Sequence, residues 1–262
     1  MKYTGLMAGL PVPQAGQGLS FSMPDLRLQL DQYLEGEDRD WVHAFFFRID
    51  WTNAEYHLAG NGLWMEGGNL EEGDLDRWFQ QSPDVDSLFY ADELPSADHE
   101  RLHVWWETYY TVLRQHADPN LQRLLAFDIS LRNFRAGWLW RTLTGGDAEQ
   151  PAQYLSGGWF DRFAYEQGQL GDIRAEHPYT AAVLACWEED DPQERQEAML
   201  TAQAAFYDYA AFFDPFGMVG LAARLLAYLE WQRMATQDPG RGKSRLEAYV
   251  QQQVAQTETH PA

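Results

Sequence analysis

Cysteine is almost absent from this 262-residue chain, which has one, Cys186. An intrachain disulfide and a cysteine-based zinc site are therefore excluded, and a reducing compartment is the expected setting. Lysine is nearly as scarce: Lys2 and Lys243 are the two, and the other 17 of the 19 bases are arginines. Long apolar runs are missing too. Runs such as Phe45-Phe46-Phe47 are a few residues long, far short of a membrane span. The opening MKYTGLMAGLPVPQ has one lysine and a short apolar run broken by Gly and Pro, which does not read as a signal peptide. A soluble cytoplasmic protein is expected. No GxGxxG follows a strand-like segment, and neither GxxxxGK[ST] nor GxSxG occurs. The dinucleotide, P-loop and serine-hydrolase readings that need those motifs are set aside.

Positive charge is also in deficit. Forty acids stand against 19 bases, for a formal charge of −21. Such a surface repels nucleic acid and anionic lipid. It suits solubility, a basic partner or a high-salt environment. One region departs from this. Residues 101–141 hold Arg101, Arg114, Arg123, Arg132, Arg135 and Arg141 against Glu107, Asp118 and Asp128, a balance of +3 that leaves −24 elsewhere.

Aromatic residues are plentiful, with 11 Trp, 13 Tyr and 14 Phe in a chain that is 45% hydrophobic. Each buried ring removes a large apolar area from water, so a sizeable core is expected. The periodicity is helical. Ser22, Pro24 and Asp25 read as a helix start, followed by Leu26, Leu30, Tyr33 and Leu34. Val42, Phe45, Ile49, Thr52 and Tyr56 step by three and four. A further helix is expected over Leu102–Gln115, ended by HADPN. Leu124, Phe127, Leu131, Phe134 and Trp138 mark another, closed by Gly145-Gly146. Glu194–Phe213 reads as helix broken at FDPFG, and Leu221, Leu225, Tyr228, Leu229 and Gln232 continue on the next, stopped by QDPGRG. A last helix is expected over Ser244–Gln253. KYTGLMAGL reads as a short extended piece, and HLAGNGLWMEGGNL as a loop. The expected fold is all-α, a multi-helix bundle of nine or ten helices.

A weak internal echo is present. Phe47-x-Ile49-x-Trp51-x-Asn53 matches Phe127-x-Ile129-x-Leu131-x-Asn133 eighty residues later. It points to two, or at most three, related helical lobes. The expected division is an N-terminal part over 1–146 with both echoed helices, a C-terminal helical lobe over 147–253 and a loose tail over 254–262, unless the whole is one continuous domain.

One motif carries a specific chemistry. HERLH fits H-E-x-x-H, in which His99 and His103 would share a zinc and Glu100 would serve as general base of a hydrolase. Such enzymes also need a third ligand and an edge strand to hold substrate, and the sequence offers no such sheet. Val104, Trp105 and Trp106 follow at once, so a solvated face on a tightly packed helix is the preferred reading. No metal or other cofactor is expected. His43, His57, His116, His177 and His260 are scattered, and Glu188-Glu189-Asp190-Asp191 reads as a solvated turn before Pro192.

The stretch FDISLRNFRAGW, residues 127–138, mixes charge into an apolar helix. Asp128, Arg132 and Arg135 are expected to form ion pairs between helices, because arginine's planar fork reaches carboxylates while its stem packs on apolar surface. Asn133, a modest helix former, is expected to hydrogen-bond across a helix junction or to a loop end.

YTGLMAGLP, FDISLRNFRAGW and GLAARLLAYLEWQRM together resemble, in order, the opening, the signature helix and the C-terminal helix of the bacterial family "domain of unknown function 2764". The resemblance runs over about residues 1–253. It implies a subunit of a bacterial V/A-type ATPase standing in for the rotor's C (d) subunit. That subunit is a non-catalytic all-helical socket between the central shaft and the membrane c-ring, working in ATP-coupled proton or sodium transport. The implied partners are those ATPase subunits and no nucleic acid. The implied location is the cytoplasmic face of the inner membrane, reached only through the ring. Carried over, Asp50 and Asn53 lie on one signature helix and Asp128 and Asn133 on another. Tyr228 and Arg233 lie on the C-terminal helix, and Arg132 and Arg135 at an interface. This chain is shorter than the usual C subunit, and the acid-to-Asn spacing differs between its two helices. A soluble helical scaffold or assembly factor is the other non-catalytic reading.

Overall fold

The computed structural model describes residues 3–10, 21–58, 60, 62–75, 98–115, 118–144, 182, 185–186, 189 and 191–236. Within them lie α1 (Thr4–Gly9), α2 (Met23–Tyr33), α3 (Gly36–Leu58), α4 (Asp98–Arg114), α5 (Pro119–Thr144), α6 (Pro192–Phe212) and α7 (Met218–Thr236). No strand occurs among the described residues, so the fold there is all-α. Gly145-Gly146, the expected helix over Ser244–Gln253 and the tail from 254 lie outside them. So do His116, His177 and His260.

The helix starts follow from side chains that satisfy otherwise unpaired backbone N–H groups. Ser22 Oγ accepts from Asp25 N at 3.2 Å, with Pro24 in the first turn of α2. Asp118 Oδ1 accepts from Asn120 N at 2.8 Å, and Pro119 opens α5. Asp191 Oδ1 accepts from Glu194 N at 3.1 Å, and Pro192 opens α6. An Asp-Pro pair thus marks two of the starts: the carboxylate caps, and proline takes a position whose N–H would have no partner.

The described part of KYTGLMAGL, from Tyr3, is not extended. Thr4–Gly9 forms α1, which buries Leu6 and Met7. Six residues are too few for a helical period to stand out from alternation, so packing against α2 decides the conformation. Tyr33, placed by its spacing on the apolar stripe of α2, is 57% exposed. It is the last residue of its helix and lies along α1 near Gly5.

α3 pairs with α4, and α6 with α7 through the turn at 213–217, while α7 also packs on α3 and α5. Ring stacking reinforces these contacts. Trp51 of α3 stacks on Trp105 of α4 with centroids 5.1 Å apart, and Phe127 of α5 stacks on Phe206 of α6 at 3.7 Å. α1 is tied to the far end of the chain: Tyr3 N donates to Phe216 O at 3.3 Å, and Arg224 donates to Leu10 O at 2.5 Å.

Candidate functional site

Polar side chains in a core this apolar have to be satisfied by one another. Arg48 extends from the middle of α3, where every neighbour in FFFRIDW is aromatic, aliphatic or acidic. One guanidinium nitrogen donates to Asp128 Oδ2 of α5 at 2.5 Å, and another donates to Glu230 Oε1 of α7. Glu230 Oε2 also accepts from Arg233 Nε at 3.1 Å, one turn along α7. Asp128 accepts further from the Tyr110 hydroxyl of α4 at 2.9 Å and from the Tyr207 hydroxyl of α6 at 3.3 Å. Five helices therefore meet at one cluster. Two arginines balance two carboxylates, and the side chains of Asp128 and Glu230 are 1% and 5% exposed.

The electrostatics favour a lock over a reacting centre. Burial alone lowers the pKa of Arg48, but Asp128 and Glu230 more than offset it, and the guanidinium is held well above its ordinary value. Burial, and then the Asp128 charge, push Tyr110 and Tyr207 well above the ordinary phenol value. Tyr109, fully buried beside Arg48, is likewise raised by burial. All three phenols stay protonated, and those of Tyr110 and Tyr207 donate to Asp128; none is poised as a base near neutral pH.

A second polar cluster lies on α3. Asp50, fully buried, accepts from Asn69 N at 2.9 Å and from Leu70 N at 3.0 Å. Asn53, one turn on, donates to Met65 O at 2.9 Å and accepts from Met65 N at 2.8 Å. Arg27 of α2 donates to Gly68 O at 2.8 Å. Together they fasten the loop over 62–70. Glycine is required where that loop meets the helices. A Cβ on Gly68 would lie 2.1 Å from Asp50 Oδ1, and one on Gly67, which has φ +91°, would lie 2.6 Å from Met23 Cβ. Burial raises Asp50 from 3.8 to about 6, against the opposing pull of the two backbone N–H groups.

The sequence-derived residues fall into these clusters as follows. Asp50 and Asn53 join the loop clamp, and Asp128 and Arg233 join the five-helix cluster. Arg132 lies with its guanidinium 4.2 Å from the centre of the Trp106 ring and 3.7 Å from Glu55 Oε1. Tyr228 is buried on α7. Asn133 and Arg135 are on α5, and His99, Glu100 and His103 on α4, but their side chains lie outside the described residues. Among the described residues, no three His, Cys, Asp or Glu side chains gather as metal ligands, and no helix is long and apolar enough to cross a membrane.

Sequence reasoning missed Arg48, Glu230, Tyr110 and Tyr207. A signal existed for two of them: Arg48 and Glu230 are charges inside largely apolar helical runs, which burial permits only with partners. The echoed motif carried another, because Arg48 and Asp128 occupy matching positions of the two copies, eighty residues apart, and pair with each other. No family model matches this chain, and no curated protein or solved structure matches it.

Proposed function

We propose that this chain is a non-catalytic coupling subunit of a bacterial V/A-type rotary ATPase. It sits between the central shaft and the membrane c-ring on the cytoplasmic face of the inner membrane and transmits torque in ATP-coupled ion transport. The observation that carries this reading is where the three resembling segments meet. The described part of YTGLMAGLP, Tyr3 to Leu10 around α1, is hydrogen-bonded to Phe216 and Arg224 beside and within α7. FDISLRNFRAGW supplies Asp128 and GLAARLLAYLEWQRM supplies Glu230, and Arg48 holds both. A buried ion network spanning five helices, in a close-packed aromatic interior, makes a body that deforms little under load. The pairing of Arg48 with Asp128 at matching positions supports two related helical lobes.

Co-purification is the test. The tagged chain, expressed in cells that assemble the ATPase, is expected to bring down shaft and ring subunits in fixed stoichiometry. Isolation of the chain alone from such cells overturns the reading. Substoichiometric recovery confined to partly built complexes makes it an assembly factor instead.

A further inference from the structure

The outward face of α6 is unlike that of an ordinary surface helix. Its inner side is buried through Met199, Leu200, Phe206 and Tyr207. Its outer side carries Ala198, Thr201, Ala205, Tyr209 and Phe212, all exposed and stepping by three and four residues. That stripe is about 21 Å long at 1.5 Å per residue. Small residues form its floor, and aromatic rings close one end. Phe212 is 76% exposed, Phe213 62% and Tyr209 49%. A helix that carries a stripe of small and aromatic residues outside as well as a buried inner side offers that stripe to a partner.

The aromatic end is preorganised. Tyr209 and Phe213 meet edge to face at 5.4 Å, and Phe212 and Phe213 at 5.5 Å. The turn beneath them is fixed by Asp214, whose backbone oxygen accepts from Gly217 N at 3.2 Å and Gly220 N at 3.1 Å. Rigid aromatic side chains on a fixed turn lose little entropy when covered, as interface anchors require.

Charge selects the occupant. From Gln196 to Ala223 there is no Lys, Arg or His, whereas Glu197, Asp208 and Asp214 are acidic. The flanking arginines are engaged by backbone carbonyls: Arg195 donates to Glu189 O at 2.8 Å, and Arg224, which lines a shallow depression with Asp208 and Ala211, donates to Leu10 O at 2.5 Å. A second copy of this chain would bring −21 against −21. We propose that this face docks an amphipathic helix of another protein, with its apolar stripe flanked by lysine or arginine. The apolar stripe lies along Ala198–Ala205, and the basic flanks meet Asp208 and the faces of Phe212 and Phe213.

The inference goes beyond the ATPase reading, and the two fail independently, because its test needs no ATPase subunit. Two synthetic helical peptides share one leucine stripe; one has Lys and Arg on its flanks and the other Glu. The full chain is expected to bind the basic peptide and to bind the acidic one at least about tenfold more weakly. Phe212→Ser/Phe213→Ser, which touches exposed positions and keeps the charge, is expected to weaken basic-peptide binding about tenfold or more. Ala205→Glu is expected to weaken it as well, although it adds negative charge. Several results overturn the proposal. They are no binding of the basic peptide, equal binding of both peptides, or unchanged affinity in the serine variant, which would assign the attraction to net charge. Self-association of the chain that the serine variant abolishes also overturns it, making a second copy the occupant.

Discussion

At the residue scale, Arg48 and Asp50 stand two positions apart on α3 with opposite electrostatic roles. Arg48 is the shared counter-charge of Asp128 and Glu230. Arg48→Met keeps much of the stem's packing but leaves two buried carboxylates facing each other without it. Breaking a buried pair in this way costs about 3–5 kcal/mol, so urea unfolding is expected to show a loss of that size. Arg48→Met combined with Asp128→Leu removes the carboxylate that Arg48 alone balances, while Glu230 keeps its pairing with Arg233, and is expected to recover part of the loss. A double variant as unstable as the single one contradicts this account.

Asp50 is held protonated more readily when folded, at about 6 against 3.8. Its contribution to stability is therefore fully present below about pH 4 and is lost as pH rises through about 6. The span is about 3 kcal/mol, at 1.36 kcal/mol for each pH unit of displacement. Asp50→Asn does not titrate, so its stability relative to the native chain is expected to rise by up to that amount between about pH 4 and about pH 7. Unfolding curves at both values, measured for both proteins, test this. A difference that stays constant with pH removes Asp50 as the titrating group.

At the element scale, much was legible because the long helices step their apolar residues by three and four, and some carry a start signal in sequence. The Asp-Pro pairs at 118–119 and 191–192, which read as turns in sequence, are helix caps in the structure. Removing one is a local loss: Asp118→Ala is expected to destabilise by about 1 kcal/mol, read from the thermal midpoint. Asp118→Ser, which can still accept the N–H, should restore most of it. What was illegible at this scale was short or depended on distant partners. α1 has too few residues to display a period. Asn53 and Asp50 could be seen as polar groups on an apolar helix, but nothing local says that they hold the backbone of 65–70. The glycines at 67 and 68 read as loop residues; that they permit the loop to touch α2 and α3 appears only in three dimensions.

At the scale of the whole molecule, the informative contacts span the chain. The partners of Arg48 lie 80 and 182 residues away, and Arg224 reaches back 214 residues to Leu10. Periodicity finds a helix and its buried side, but not which buried charge faces which, because that choice is made by the global packing of helices. The five-helix cluster is consequently where local openings should be coupled. If α3, α5 and α7 open together because Arg48 holds Asp128 and Glu230, Arg48→Met should speed amide exchange at the centres of all three helices at once. A loss of about 3 kcal/mol corresponds to roughly a hundredfold or greater increase for amides that exchange by that shared opening. α2 and the 62–70 loop, fastened by Asp50, Asn53 and Arg27 instead, should change less. Mass spectrometry of deuterium uptake in the native and Arg48→Met chains separates the cases. Acceleration confined to α3 would mean that the helices open separately, and a body of that kind would twist under load where a torque-bearing socket must stay rigid.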